Sequence, residues 1–386
     1  MHITIIANNF QEEYIYNLIN NLSLQVDRLD FIGSPLYNKE KINSNIKFYK
    51  FRHYYHDKES QVKKTYGIID YYLKLIKYLF TSPSKIIHVQ WLKFNFIEGV
   101  LIAILIKLLG KKVIYTAHNP LPHNTDGLYF RTLFKLIYKI QSQLIVHTSY
   151  IKDEISRQFG TNPQKIHVVP HGVYMKKMNP SVTKSTARDS LGLSKNAKVL
   201  LFFGYINEYK GFDVLVKAIN LLDETAPLEI MVAGKVQNGY EKAFESILKE
   251  KKSGKYVLLT EYVSEEKLEL CFKAADVTVL PYKEASQSGV LFMSYSFGVP
   301  VIAPYLGGFP SDIIPNKTGY LFEPKNPVSL SKTIMLFLEE WAAPSPERGN
   351  FITNFAYNNY SWTSSCKKLV DIYSHDKQNS RKSILK

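Results

Sequence analysis

Short runs of Val, Ile, Leu and Phe recur along the chain, and between them apolar residues return every three or four positions. The short runs read as strands buried on both faces, and the spaced ones as amphipathic helices. Strands are expected at 3–7, 29–32, 46–51, 86–90, 113–117, 144–147 and 166–169 in the first half, and at 199–203, 229–233, 257–259, 277–280 and 301–303 in the second. Strands alternating with helices predict an α/β fold built on parallel sheets. The pattern reads as two doubly wound, Rossmann-like domains in tandem, facing one another across a cleft. Their join falls in the polar stretch 170–191 (PHGVYMKKMNPSVTKSTARDSL), which Gly and Pro punctuate. This gives a first domain over 1–180 and a second over 190–350. Residues 351–386 are expected to form a helix packing back on the first domain, then a polar tail that frays.

One apolar stretch stands out at 99–110 (GVLIAILIKLLG). Lys107 interrupts it, and it is about half the length needed to span a bilayer, so it reads as a buried or interfacial helix. The opening run 3–7 is too short for a secretory signal core and lacks a basic start.

Composition narrows the class. Of 386 residues 45% are hydrophobic and 22% charged, which excludes a disordered or collagen-like chain. Cys271 and Cys366 form neither a disulfide framework nor a zinc spacing, and a reducing cytoplasm fits them. The net charge of +15 is uneven: residues 1–180 hold 24 Lys and Arg against 12 Asp and Glu, and residues 181–386 hold 25 against 22. A basic first half points to an anionic partner: nucleic acid, anionic lipid or a phosphorylated substrate.

Ligands of open α/β sheets bind at the carboxyl ends of strands, so the residues just after strands are the candidates for chemistry. After 199–203 the chain reads FFGYINEYKGFDVLVKAI. Gly204 ends the strand, Tyr205 follows, and Lys210-Gly211 precede a helix starting near Asp213. A lysine beside a helix N-terminus and flanked by glycine suits a phosphate. A solvated surface lysine is the plain alternative. After 277–280 comes PYKEASQSGVLFMSYSFGVPVIAPYLGGFP. Ser286, Gln287, Ser288, Gly289 and Val290 form a strand-to-helix turn, and Gly307-Gly308 follow the next strand. Ordinary turn chemistry explains such glycines equally well. No Asp-x-Asp occurs, and no histidines fall in ligand spacing with carboxylates, so neither a metal nor another cofactor is expected.

Two basic segments remain. Residues 47–66 mix Lys, Arg and His with Phe and Tyr. Arg131, Lys135 and Lys139 stand four apart on a helix whose other faces carry Leu133, Phe134, Leu136, Ile137 and Ile140. This is the pattern of a helix lying on anionic lipid, and equally of a surface helix with its apolar side in the core. No RNP-like, KH or zinc-finger motif accompanies the basic residues, so nucleic acid is not the expected partner.

The block F-x-G…K-G, the strand ending in Pro-Tyr, S-Q-S-G-V-L, F-G-x-P-V-I-A, G-G-F-P and T-G-Y-L-F resembles the retaining GT-B glycosyltransferases of family 4, which use a nucleotide-diphosphate sugar. The resemblance runs over 85–322, is most specific over 202–322, and includes VIYTAHN and VVPHGV in the first half. It implies that His118 lies against the donor sugar, that Lys210 neutralises the diphosphate, and that Gly289, Val290, Gly307 and Gly308 line the phosphates. The family's paired glutamates fall on Ser286 and Ser294, with Glu284 near enough in sequence to reach the sugar. Tyr205 stands where many members carry an arginine. Asn8, Asn9 and Asn119 fall on the acceptor side, without the Gly-Gly many relatives have after the first strand. The function implied is metal-independent transfer of a hexose from a UDP- or GDP-sugar to a lipid-linked or growing surface-polysaccharide acceptor such as capsule or O-antigen. The enzyme would be cytoplasmic, peripheral at the inner face of the membrane. A non-catalytic nucleotide-sugar or glycan binder is the alternative, ahead of an epimerase or hydrolase and a nucleic-acid binder.

Overall fold

The computed structural model describes residues 1–8, 11–53, 60–121, 127–173, 179–223, 228–341 and 345–383, with side chains to Ser374. The chain divides into two compact units, Met1–Gly172 with Trp362–Lys386, and Val173–Ser361.

The first unit is built on a seven-stranded parallel sheet: β1 (His2–Ile6), β2 (Arg28–Gly33), β3 (Ile46–Lys50), β4 (Ile86–Val89), β5 (Lys112–Thr116), β6 (Gln143–Val146) and β7 (Ile166–Val168), in the order β3-β2-β1-β4-β5-β6-β7. The strands are apolar on both faces because helices cover both. One face carries α1 (Glu12–Ser23), which buries Ile15, Leu18, Ile19 and Leu22, and α14 (Trp362–Ser383), which adds Trp362, Cys366 and Leu369. The other face carries α2 (Gln61–Thr81), a π-helical turn (Ile97–Ile102) running into α3 (Ala103–Leu108), α4 (Leu128–Ile140) and α5 (Ser149–Phe159). Ser60 and Thr148 cap α2 and α5 by accepting from the Lys63 and Ile151 amides.

The second unit holds six parallel strands: β8 (Lys198–Phe203), β9 (Leu228–Ala233), β10 (Lys255–Leu259), β11 (Val277–Val279), β12 (Val301–Pro304) and β13 (Gly319–Phe322), in the order β10-β9-β8-β11-β12-β13. Its helices are α6 (Lys184–Ser190), α7 (Phe212–Ile219), α8 (Glu241–Lys249), α9 (Glu265–Ala274), α10 (Gly289–Ser296), α11 (Phe309–Asp312), α12 (Pro327–Glu340) and α13 (Pro346–Tyr360).

All twelve expected strands are present, each within two residues of its expected ends. β13 is the addition: four residues opening on glycine, which the sequence pattern did not separate from a turn. The apolar stretch 99–110 is the π turn and α3, with Val100, Ala103 and Ile106 buried and Leu101, Ile104 and Leu108 exposed. The first chain crossing, at 172/173, falls inside the expected join 170–191, and the second lies at 361/362 rather than at 350/351. The later return has a packing cause. α13 buries Ile352, Ala356 and Tyr360 with Leu291 and Phe292 of α10 and so stays in the second unit. Trp362 then takes up the first unit's core: its indole is 5.1 Å from the Tyr14 ring, and Ser365 Oγ donates to Pro170 O at 2.8 Å. Both cysteines are free and buried, one in each unit.

Candidate functional site

In each sheet the strand order reverses once, between β1 and β4 and between β8 and β11, and the carboxyl end of such a switch point is where doubly wound sheets hold ligands. The predicted residues of the second unit gather there. Lys210 ends a single turn after β8 and is buried, 9% exposed. Its Nζ donates to Tyr282 Oη at 2.5 Å and lies 3.9 Å from the Tyr282 ring centre, while Ser288 Oγ is 3.2 Å from the same phenol. Lys210 forms no ion pair among the described residues, and burial pulls its ammonium down to about 8. A lysine buried without a carboxylate is unstable unless something anionic completes it.

The surrounding backbone requires glycine. Gly211 caps α7 at φ 71°, and a Cβ there would lie 1.9 Å from Pro281 O. Gly307 has φ 57°, and its Cβ would lie 2.0 Å from Ala285 O; the next amide, Gly308 N, donates to Ser286 O at 3.0 Å. These close approaches, with the Lys283 amide donating to Tyr209 O at 2.7 Å, bring the turns after β8, β11 and β12 together. Gly289 differs, since a Cβ on it would meet nothing within 4 Å. Space is therefore left open at the first turn of α10, where unpaired amides point outward. Gly204 and Val290 are half-buried beside Lys210, Ser286 and Gln287 are half-buried in the turn, and Tyr205 and Glu284 are exposed.

Ser294 is a correction. It is fully buried, its Oγ bonded to Thr278 Oγ1 at 2.7 Å and donating to Val299 O at 2.9 Å. The serine is too short to leave the helix core, so its hydroxyl serves the fold and not the surface of the site. Behind the glycine turn lies a group the sequence reading passed over. Asp312, at the end of α11, accepts from Tyr360 OH at 3.0 Å, and burial raises its carboxyl to about 7.

In the first unit, His118 follows β5 and stacks on Trp91 at 4.1 Å, with Tyr14 edge-on at 5.4 Å. The sequence reading missed its neighbours His147 and His171, although each lies within three residues of a strand end, as His118 does. His147 Nδ1 donates to Val169 O at 2.9 Å, which leaves its Nε2 to accept from His118 Nδ1 at 3.1 Å. His118 Nε2 is buried without a hydrogen-bond partner among the described residues. Burial, then the neighbouring imidazoles, holds His118 well below the usual range, with the Gln90 carbonyl acting weakly the other way. His147 falls to about 3 for the same first two reasons. These imidazoles are neutral near pH 7. Asn8 and Asn119 are half-buried at the same edge, and Asn9 lies outside the described residues. Among the described residues no three His, Cys, Asp or Glu side chains group so as to hold a metal ion.

Solved structures share this architecture. An Anabaena protein, HepE, crystallised with UDP, aligns over 97% of this chain and 100% of its own with a TM-score of 0.74 at 14% identity. Sucrose-phosphate synthase from Thermosynechococcus elongatus aligns over 98% and 100%, with a TM-score of 0.73 at 17% identity. At such identities the likeness is one of fold, the GT-B pairing of two Rossmann-like domains. In sequence, a D-inositol 3-phosphate glycosyltransferase of Streptomyces avermitilis is 28% identical over 63% of this chain and 53% of its own length. That of Streptomyces scabiei is 27% identical over 61% and 54%. The chain thus spans about half the length of these relatives. The model for "Glycosyltransferase Family 4" matches residues 11–177, and that for "Glycosyl transferases group 1" matches residues 183–357. With one model on each half, the chain belongs to the group 1 glycosyltransferases of family 4.

Proposed function

We propose that the protein is a retaining, metal-independent glycosyltransferase that moves a hexose from a UDP- or GDP-sugar to a lipid-linked or growing polysaccharide acceptor. The observation that carries this reading is Lys210, a buried cation with no carboxylate partner among the described residues, set beside an open helix N-terminus at a sheet switch point. A diphosphate would supply the missing charge, its oxygens meeting Lys210 and the first amides of α10. As the donor's anomeric C–O bond breaks, the lysine and the amides stabilise the leaving phosphate. The acceptor hydroxyl attacks the same face, and a phosphate oxygen takes its proton. His118 positions the sugar as a neutral imidazole, and the exposed Glu284 is the carboxylate available to its hydroxyls. Acceptor binding falls to the first unit.

Membrane contact belongs to the same reading. The outer faces of α2, α3 and α4 expose Tyr66, Leu73, Leu108 and Leu128, and α4 also exposes Lys135 and Lys139. Apolar groups interleaved with lysines suit an anionic lipid surface, and flotation with anionic but not neutral vesicles is the expected behaviour. No helix among the described residues is long and apolar enough to cross a membrane.

The primary test is a calorimetric panel of UDP, GDP, ADP and dTDP with and without EDTA. One diphosphate binding in EDTA, and lost in Lys210→Ala, supports the donor site and names the base. If none binds, the donor reading falls and a glycan-binding relative takes its place.

A further inference from the structure

Away from His118, the carboxyl edge of the first sheet carries a second cationic hollow. It lies between the end of β3, the first turns of α2 and the loop after β4, and Arg52, His53, Tyr71, Tyr72, Lys93 and Phe94 line it. Arg52 and Tyr71 are buried, with the guanidinium 4.4 Å over the phenol ring. Arg52 Nη2 donates to Glu98 Oε1 at 2.9 Å. The same carboxylate makes two further bonds: Oε2 accepts from Lys93 N at 2.7 Å, and Tyr72 OH donates to Oε1 at 3.3 Å. Asp70, the other carboxylate nearby, is held by His53 and Lys74, each at 2.6 Å. Arg52 Nε and Tyr71 Oη remain buried with no hydrogen-bond partner among the described residues. Buried groups of this kind are rarely left unpaired in native proteins.

The chemistry of the gap is one-sided. Arg52 Nε can only donate, and burial keeps the Tyr71 phenol neutral, so it too has a proton to give. Lys93 stands at the rim, and its ammonium is held down by burial and by the Arg52 charge, as expected of a cation in excess over its acids. The hollow encloses about 20 Å³, enough for one oxygen atom and too little for a sugar ring. A water would have protons of its own to place there, whereas an acid oxygen only accepts.

We propose that this hollow binds an oxyanion group, a phosphate or a carboxylate, carried by the acceptor. One oxygen sits between Arg52 Nε–H and Tyr71 O–H, and the remaining charge faces Lys93. The assignment of the anion to the acceptor rests on the transferase reading; the site itself does not.

The test follows the Arg52 Nε–H resonance in ¹⁵N-labelled protein, assigned with Arg52→Lys, during titration with inorganic phosphate and separately with glucuronate, against sodium chloride. A saturable downfield shift with one of the two acids is expected, and the responding acid identifies the source. Tyr71→Phe should weaken that binding about tenfold, as loss of one hydrogen bond to a charged group does. Lys93→Met, at an exposed rim, should weaken it about threefold. An unmoved resonance with both acids, a shift no larger than that with chloride, or unchanged affinity in both variants overturns the proposal. UDP and GDP binding measured on the same samples separates the two ideas. A bound diphosphate with a silent Arg52 sinks the anion site alone, whereas a responsive Arg52 with no diphosphate bound sinks the transferase reading and leaves the anion site standing.

Discussion

The two sheet edges solve the same problem in opposite ways. Around His118, at the edge of the first unit, most polar groups are spent on one another: His118 on His147, His147 on a backbone carbonyl, and His88 on Tyr373 and Thr116 at 2.5 and 2.7 Å. The result is a neutral, aromatic, interlocked surface. The second unit draws three turns together with glycines and places one cation among them whose partner is a phenol. An edge that satisfies itself is stable and offers shape. An edge that leaves a charge uncompensated sacrifices stability and offers affinity.

The strongest way to break the comparison is to remove the glycines. Gly211→Ala or Gly307→Ala drives a methyl into a carbonyl at a positive φ, and each should destabilise the second unit by about 3 kcal/mol or more. Gly289→Ala meets open space and should stay within about 0.5 kcal/mol while weakening diphosphate binding. Urea unfolding beside calorimetry reads both effects.

Titration should come next, with opposite signs in the two units. His88 and His147 fall to about 3 in the native protein from 6.5. Between those values the unfolded chain binds more protons, so the first unit loses stability as pH drops below 6.5, by about 1.4 kcal/mol per pH unit and histidine. Asp312 is raised to about 7 from 3.8. The native state then binds the extra proton, and the second unit loses stability as pH rises through that window. Urea midpoints from about pH 5 to pH 7, read from Trp91 in one unit and Trp341 in the other, should move in opposite directions. Movement in the same direction would end the comparison.

Lys210→Ala should lower diphosphate affinity about a hundredfold yet leave the fold no less stable, since it removes an unpaired buried charge. In the unmodified protein, affinity should fall as pH rises through about 8, where the ammonium is lost. Equal affinity in the variant would dismiss the phosphate assignment. The smallest expected effect on the site is that of Ser294→Ala: diphosphate affinity unchanged, with about 1 kcal/mol of stability lost.

Most of the twelve strands were legible because their Val, Ile and Leu runs are buried on both faces, where composition alone marks a strand; the edge strands β3 and β10 are only partly buried and were legible from their β-branched and aromatic residues. β13 was not, because Gly319 opens it as a turn would. The return to the first unit was misplaced because α13 and α14 are both amphipathic, and only packing shows which core each one fills. Lys210 was legible by spacing, but its burial was not. Ser294 sat at the right point of a motif, yet a serine reaches less far than a glutamate, so it turned inward to Thr278. The histidines after β6 and β7 carried the same signal as His118. What the sequence lacked was strand order: only β5, β6 and β7 lying side by side makes one cluster of them.

Because Trp362, Cys366, Leu369 and Tyr373 complete the core of a unit that otherwise ends at Gly172, the order of synthesis matters. On the ribosome, the second unit emerges as one continuous stretch and can fold as it appears. The first must wait for the whole of the second to be translated, a delay of roughly ten to forty seconds at ordinary elongation rates. Through that interval the groove meant for α14 lies open, its Leu18, Leu22 and Ile86 exposed to whatever apolar chain or chaperone is nearby. The half of the protein made first is the last to be finished.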